Sequence, residues 1–573
     1  MLDKTMAESS LQSFDKAYIN KVMKKDMLMM VSGLQKAGVA ITSYEIRNES
    51  SVMGAYDVHE VQFKPVDGMA STIRFRVPCV DEDGVMKVGG SSYSYRKQRV
   101  DTPIRKIDPI TVALTSYYGK TFVAVSDKKA NSSYDWLLRN ISKLSMLENP
   151  VITDLGPANV YNNLLKAPYL YSFLSQNYKT FKIAGNTFIF DERDRSVISD
   201  DFAKIEKNGS IVCGFTAKLE PIVMAETEEF FIYKAGGYVS IGHIETMLGI
   251  DKTKSPVDFT ELRVFAKTIP VGVVLGYYIG LDKLLTLLKA KYRVVEGRSQ
   301  KDLQQDEYAL KFADVSYIFS RKQKAASLIL SGFLDFEKTL KQYPVEMYND
   351  KDVYFNLFES KSLSSLYIRE LDVYRQLFID GITKTILEQM NMPVTFEGLL
   401  VKSTEMLVDY SHPDTQDLNH MRIRGYERIS GIVYSQLSTA IRQYRNKNIS
   451  GRSKIDMSPF AVWSTIMKDP AIKLVEDINP IQNMKESEIV TYVGEGGRGK
   501  ESMNKATRAF HVSDVGVVSE ASVDSGDVGI NFYLSSNPNF KDMRGIIKAD
   551  KNITPASMVS TATMLAPGSS QDD

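Results

Sequence analysis

The segment SEIVTYVGEGGRGKES (Ser487–Ser502) carries the residue types that handle phosphate. A β-prone run, Ile489–Val493, leads into Gly494, and Gly496-Gly497 are followed by Arg498 and Lys500. Glycine has no Cβ and tolerates positive φ, so its backbone can come close to a phosphodiester. Lys485, Lys505 and Arg508 extend the basic character on either side. Such cations bind phosphate without reading sequence. The spacing from Gly494 to Gly499-Lys500 also has the outline of a P-loop. That loop needs a hydroxyl directly after its lysine to hold magnesium. Glu501 stands there instead, with Ser502 one place late, and the chain after Lys500 is too short for the rest of an NTPase domain.

Other chemistry is sparse. Cys79 and Cys213 make at most one disulfide, and the five histidines are scattered with no pair at metal-ligand spacing. Asp81-Glu82-Asp83 and Asp524–Asp527 are the densest acidic spots, and glycine beside or within each reads as turn chemistry. The basic run Arg96, Lys97, Arg99, Arg105 and Lys106 reads as an exposed hairpin edge protected by charge.

The elements that position these residues follow from periodicity. Residues 1–45 are helical in pattern, and short alternating strands run from about Tyr44 to Val125, with a turn at Asp83-Gly84 and a Gly-Gly break at Gly89-Gly90. Phe265–Leu281 reads as a buried strand, part of a strand-turn-helix that Pro270 and three glycines separate from a membrane span. Helical patterns dominate from Tyr308 to Leu407. One helix is predicted between Asn419 and Lys447, its stripe formed by Ile423, Tyr426, Ile429, Val433, Leu437, Ala440, Ile441 and Tyr444. Arg422 and Arg424 fall off that stripe, on a basic face that suits solvent and nucleic acid equally. The 573 residues imply several domains, and a net charge of +1 confines any nucleic-acid surface to a local patch. The polar start of the chain lacks the pattern of a secretion signal, so a soluble cytoplasmic protein is expected.

The run INPIQNMKESEIVTYVGEGGRGKESMNKATRAFHVSDVGVV (Ile478–Val518) resembles the β subunits of multisubunit RNA polymerases. Asn479-Pro480, Gly494, Gly496-Gly497, Lys500-Glu501, Arg508, His511 and Gly516 stand in the family's register. DLNHMRIRGYERISGIVYSQL resembles the family's Asp-His-x-x-Asn-Arg-Arg helix through Asp417, Arg422, Arg424, Gly425 and Glu427, with His420 displaced. The end of the chain, Ser557–Asp573, resembles the family segment that stops at a His/Asp-Asp stretch.

The resemblance implies an α+β multidomain chain with protrusion-like parts at 1–130 and 416–470, a lobe-like part at 131–415 and a fork-like part at 471–573. It implies the N-terminal half of a split β subunit of a giant-bacteriophage polymerase, catalytically silent alone. Its partners would be a C-terminal β half, β′-type chains, template DNA and nascent RNA, with no membrane, in the host cytoplasm or a virion. Mg2+ would be ligated by another subunit, and none by this chain. The nucleic-acid contacts would come from Lys485, Gly496, Gly497, Arg498, Lys500, Lys505 and Arg508, with Arg422 and Arg424 on the basic helix. Reduced elongation by the assembled complex, with promoter choice unaltered, is expected on Lys500→Ala. Glu486, Ser487, Glu488 and Ile489 replace the family's cationic rifamycin-pocket run, which implies rifampicin resistance. Two other readings stand beside this one: a structural or virion protein whose glycine loop is a plain turn, and a P-loop NTPase.

Overall fold

The computed structural model describes residues 10–126, the strands between 180 and 243, 258–447 and 453–565, with short gaps inside these stretches. The chain is mixed α/β with several sheets, and three apolar cores form among the described residues.

Helices Ser10–Tyr18 and Lys24–Gly33 flank a π-helical turn, Ile19–Met23. A 3-10 turn ends at Gly38, whose φ of 70° is cheap only for glycine, so the first strand starts at Val39, ahead of the expected Tyr44. A six-stranded sheet follows, built on the antiparallel pairs Val39–Ser51 with Gly54–Pro65 and Gly54–Pro65 with Ser71–Pro78. Alternation puts Val61, Phe63, Ile73, Phe75 and Val77 on its buried face. Each such side chain contributes about 1.5–3 kcal/mol by leaving water.

The long helix Glu427–Lys447 lies in the same core through Ile429, Val433, Leu437, Ile441 and Tyr444, the stripe foreseen in the sequence. Its start differs from expectation. Met421–Arg424 is a strand, paired with Lys97–Asp101, and all four of its residues are buried. Neighbours on both faces, including the Gly545 carbonyl that accepts from the Ile423 amide at 2.9 Å, favour extended chain over a helix with one wet side. Arg422 and Arg424 are therefore on a buried strand and not on a basic helical face.

A five-stranded sheet, Lys267–Pro270, Thr260–Val264, Lys120–Val125, Thr111–Thr115 and Ile104–Asp108, carries the second core with the helices that follow. Within the segment Phe265–Leu281 the strand is confined to Lys267–Pro270 and a buried helix, Val271–Ile279, follows, the strand-then-helix order expected of the apolar stretch rather than a strand throughout. Its glycines set the packing distance: a Cβ on Gly272 would lie 2.1 Å from the Ile329 carbonyl oxygen, and one on Gly276 2.4 Å from the Tyr354 hydroxyl. The stretch from Tyr308 opens with two strands, Glu307–Lys311 and Val315–Ser320, and only then turns helical. They pair with Tyr292–Glu296 in a three-stranded antiparallel sheet. No helix among the described residues is long and apolar enough to cross a membrane.

A four-stranded sheet has the order Met421–Arg424, Lys97–Asp101, Ile489–Thr491, Asn531–Tyr533. Lys97–Asp101 is an inner strand of it, paired with Met421–Arg424 on one side and parallel to Ile489–Thr491 on the other. The basic run expected at an exposed edge is thus buried, with Lys97 2% and Arg99 3% exposed. Three of its cations meet a carboxylate from a distant segment: Arg96 with Glu486 at 2.6 Å, Lys97 with Asp15 at 2.6 Å and Arg99 with Asp514 at 2.9 Å. Pairing makes burial of such charges tolerable.

Candidate nucleic-acid interface

Strand Ile489–Thr491 runs out of the four-stranded sheet into the glycine loop. The loop closes on itself, the Gly497 amide donating to the Gly494 carbonyl at 2.9 Å and the Arg498 amide to the Tyr492 carbonyl at 2.8 Å. Gly494 and Gly496 adopt positive φ, 122° and 69°. The glycines admit protein side chains from beneath. A Cβ on Gly494 would stand 2.7 Å from Arg428 Nη2, one on Gly496 2.9 Å from Arg424 Nη2, and one on Gly497 2.3 Å from Gln98 Nε2. A 3-10 turn of three residues, Lys500–Ser502, follows in place of the α-helix that a P-loop requires. The NTPase reading ends there.

Three buried arginines lie under this loop, and they differ in their partners. Arg422 pairs with Glu427 at 2.6 Å, and Arg428 pairs with Asp469. Arg424 gives its Nε to Gln98 Oε1 at 2.9 Å and its Nη2 to the Glu495 carbonyl at 2.5 Å, and it lies over the Tyr117 ring at 5.0 Å. Among the described residues no carboxylate stands within ion-pair distance of it. Proton affinities follow the same division. Burial works against the charge of both Arg422 and Arg424; Glu427 outweighs it at Arg422 and raises that pKa. At Arg424 burial wins, aided by Arg428 and Arg422, and the pKa falls below its ordinary value. A guanidinium still stays protonated there, so Arg424 is a buried charge with neutral partners.

Arg424 opens onto a cleft of about 200 Å³, walled by Arg422, Arg424, Gly496-Gly497 and the turn Tyr117–Lys120. Tyr117 is fixed from several directions. Its hydroxyl donates to Glu427 at 2.6 Å, its amide to Asp380 at 2.9 Å, and its ring fills the space where Gly431 has no side chain. At the other wall Asp101 is shared by Arg105, Lys120 at 3.6 Å and Arg498 at 3.6 Å. Burial raises the Asp101 pKa, but these cations outweigh it and hold the carboxyl below its usual range. Three cations thus share the Asp101 carboxylate, Arg424 makes its hydrogen bonds to neutral groups, and Glu495 is the other acid that lines the cleft.

Arg422, Arg424, Gly496 and Gly497 therefore meet at one cleft, and Arg498 stands behind it. The remaining candidates lie apart. Lys500 forms an exposed ion pair with Asp527 at 2.7 Å, Lys485 lies over the Tyr533 ring at 5.2 Å, and Arg508 donates to the Met503 carbonyl at 3.3 Å. Lys505 and Asp524 are outside the described residues. Sequence inspection missed Tyr117, Lys120, Gln98 and Glu495. An aromatic-glycine-lysine turn, Tyr117–Lys120, between two β-prone runs was the available signal.

Of the two acidic clusters, Asp81-Glu82-Asp83 lies wholly within the described residues. Asp81 spends its carboxylate on the amides of Asp83 and Val85, at 3.0 and 2.7 Å, which is the turn expected. Among the described residues no three His, Cys, Asp or Glu converge.

The chain belongs to the bacteriophage RNA polymerase family, which matches residues 1–501. No curated protein matches it. It accordingly falls in the class of DNA-directed RNA polymerases, which are nucleotidyltransferases acting in transcription. The family is that of bacteriophage RNA polymerases and not the β subunits of multisubunit enzymes, so the assignment as half of a split β subunit is overturned. The expected C-terminal β half and β′-type partners fall with it, as does the rifamycin-pocket argument. The apparent register rested largely on glycines and cations. Here Gly494, Gly496 and Gly497 seat Arg428, Arg424 and Gln98, a packing role that does not require membership of that family.

Proposed function

We propose that the cleft between Gly496-Gly497 and the Tyr117–Lys120 turn holds a backbone phosphate of nucleic acid during RNA synthesis. The observation that carries this is Arg424: a buried guanidinium held by neutral partners, opening on a cleft where Lys120 and Arg498 share the single carboxylate of Asp101. A phosphate would supply the missing counter-charge, and a guanidinium suits it through paired N–H donors. Contact of this kind is indifferent to base sequence, as a polymerase traversing any template requires. In this role the described part of the chain positions nucleic acid, while its densest carboxylates serve turns and ion pairs. The test is a photo-crosslinking amino acid in place of Glu495, which is exposed at the cleft. In enzyme engaged in RNA synthesis, irradiation is expected to join this position to DNA or RNA. Crosslinks confined to protein would count against the role.

A further inference from the structure

Glu427 opens the helix Glu427–Lys447 and is 2% exposed. Two residues that line the cleft, Tyr117 and Arg422, end on its carboxylate. Oε1 accepts from the Tyr117 hydroxyl and pairs with Arg422 Nη1, both at 2.6 Å, and Oε2 lies 3.5 Å from Arg544 Nη1. Burial raises the Glu427 pKa, but Arg422 and then Arg544 outweigh it and hold the carboxyl below its usual range. Glu427 is therefore a buried anion.

The neighbouring groups are already engaged. Arg544 has Asp26 on both its terminal nitrogens, at 2.5 and 2.8 Å. Asp380, the buried acid on the other side of Tyr117, accepts from the Tyr117 amide at 2.9 Å and from the Thr383 amide and hydroxyl, each at 2.7 Å. Glu427 is thus the carboxylate that answers Arg422. Arg422 and Arg424 stand two residues apart on the strand Met421–Arg424, and residues at that spacing share a face. Two arginines are presented side by side, and one carboxylate serves the first of them. Tyr117 stands between, its ring under Arg424 at 5.0 Å and its hydroxyl on Glu427.

We infer that Glu427 is a positioning residue of the cleft. By pairing with Arg422 it withholds one arginine from the ligand, and by holding the Tyr117 hydroxyl it fixes the ring against which Arg424 meets a phosphate. The inference rests on the phosphate reading of the cleft and adds the residue that sets its strength.

The test is the affinity of the full chain for a fluorescent duplex DNA by anisotropy across a salt series, with circular dichroism confirming each fold. Glu427→Gln keeps an acceptor for Tyr117 and removes the charge, so that Arg422 joins Arg424 in facing the cleft without a carboxylate. It is expected to bind DNA more tightly at low salt, the slope of log affinity against log salt steepening by up to about 0.9, the increment of one further phosphate contact. A merely structural role predicts the opposite sign, since a loosened cleft binds less. Adding Arg422→Met to Glu427→Gln should remove the gain. Arg422→Met alone, the variant that decides should Glu427→Gln not fold, leaves Glu427 to counter Arg424 and is expected to weaken binding and flatten the slope. Weaker or unchanged binding by folded Glu427→Gln, or unchanged binding by Arg422→Met, overturns the inference. Arg424→Gln separates the two readings. A reduced slope there, without a gain in Glu427→Gln, sinks the role of Glu427 alone, whereas an unchanged slope sinks the phosphate contact and this inference with it.

Discussion

Nη2 of Arg424 donates to the carbonyl oxygen of Glu495 at 2.5 Å, fastening the strand Met421–Arg424 to the glycine loop. The bond satisfies a donor without neutralising a charge. That distinction separates Arg424 from Arg422 and Arg428, which have Glu427 and Asp469, and it gives the loop both its shape and its electrostatic sign.

The loop tolerates no side chain at its centre. A Cβ on Gly497 would be 2.3 Å from Gln98 Nε2 and 2.4 Å from the Tyr492 carbonyl, whereas one on Gly526 would meet nothing within 4 Å. Gly497→Ala is expected to cost about 1–3 kcal/mol of stability through overpacking, and Gly526→Ala less than about 0.5 kcal/mol. Urea unfolding of the two variants checks this; equal midpoints would show that the loop yields freely.

A buried ion network joins the ends of the described chain. Arg544 binds Asp26 through both guanidinium nitrogens, at 2.5 and 2.8 Å, while Tyr18 donates to the same carboxylate at 2.6 Å and Glu427 lies 3.5 Å from Arg544. Asp26→Asn removes the charge that Arg544 needs, at an expected cost of about 3–5 kcal/mol. Asp26→Asn combined with Arg544→Met should recover part of that loss. Denaturant titration decides, and a loss under about 1 kcal/mol for the single variant would contradict the assignment.

His59 should make the fold acid-sensitive. It is buried between the Tyr44 hydroxyl, 2.7 Å from Nδ1, and the Phe75 ring, stacked at 5.0 Å. Burial lowers its pKa from 6.5 to about 4, against a weaker opposing pull from Asp57. A folded-state pKa below the unfolded one means the unfolded chain takes up the proton first. Stability is then full above about pH 6.5 and is lost as pH falls toward 4, by about 3 kcal/mol from this residue. His59→Gln should be less stable at pH 8 yet show a flatter decline between pH 6.5 and 4. Parallel curves for the two proteins would show that His59 does not titrate differently on folding.

Much of the scaffold was legible because it rests on local pattern. The stripe Ile429 to Tyr444 and the turn at Asp81 each follow from periodicity or side-chain chemistry within a few residues. What was not legible depends on long-range pairing. Lys97 and Arg99 read as solvent-facing until Asp15 and Asp514 are brought to them, and Met421–Arg424 reads as helix until Lys97–Asp101 lies alongside. The glycine loop was legible as a place of close approach. The approaching groups are Arg424, Arg428 and Gln98, and no spacing within the loop could name them.

The phosphate contact proposed for the cleft rests on the charge of Arg424. Arg424→Gln keeps a donor for the Glu495 carbonyl and removes the charge, and Arg424→Lys keeps the charge. The most direct measurement is DNA affinity of the three proteins by anisotropy across a salt series, with circular dichroism confirming the fold. Arg424→Gln is expected to bind more weakly at low salt, with the slope of log affinity against log salt reduced by about 0.9, one phosphate contact on duplex. Arg424→Lys should restore the slope. An unchanged affinity and slope in folded Arg424→Gln would contradict the account.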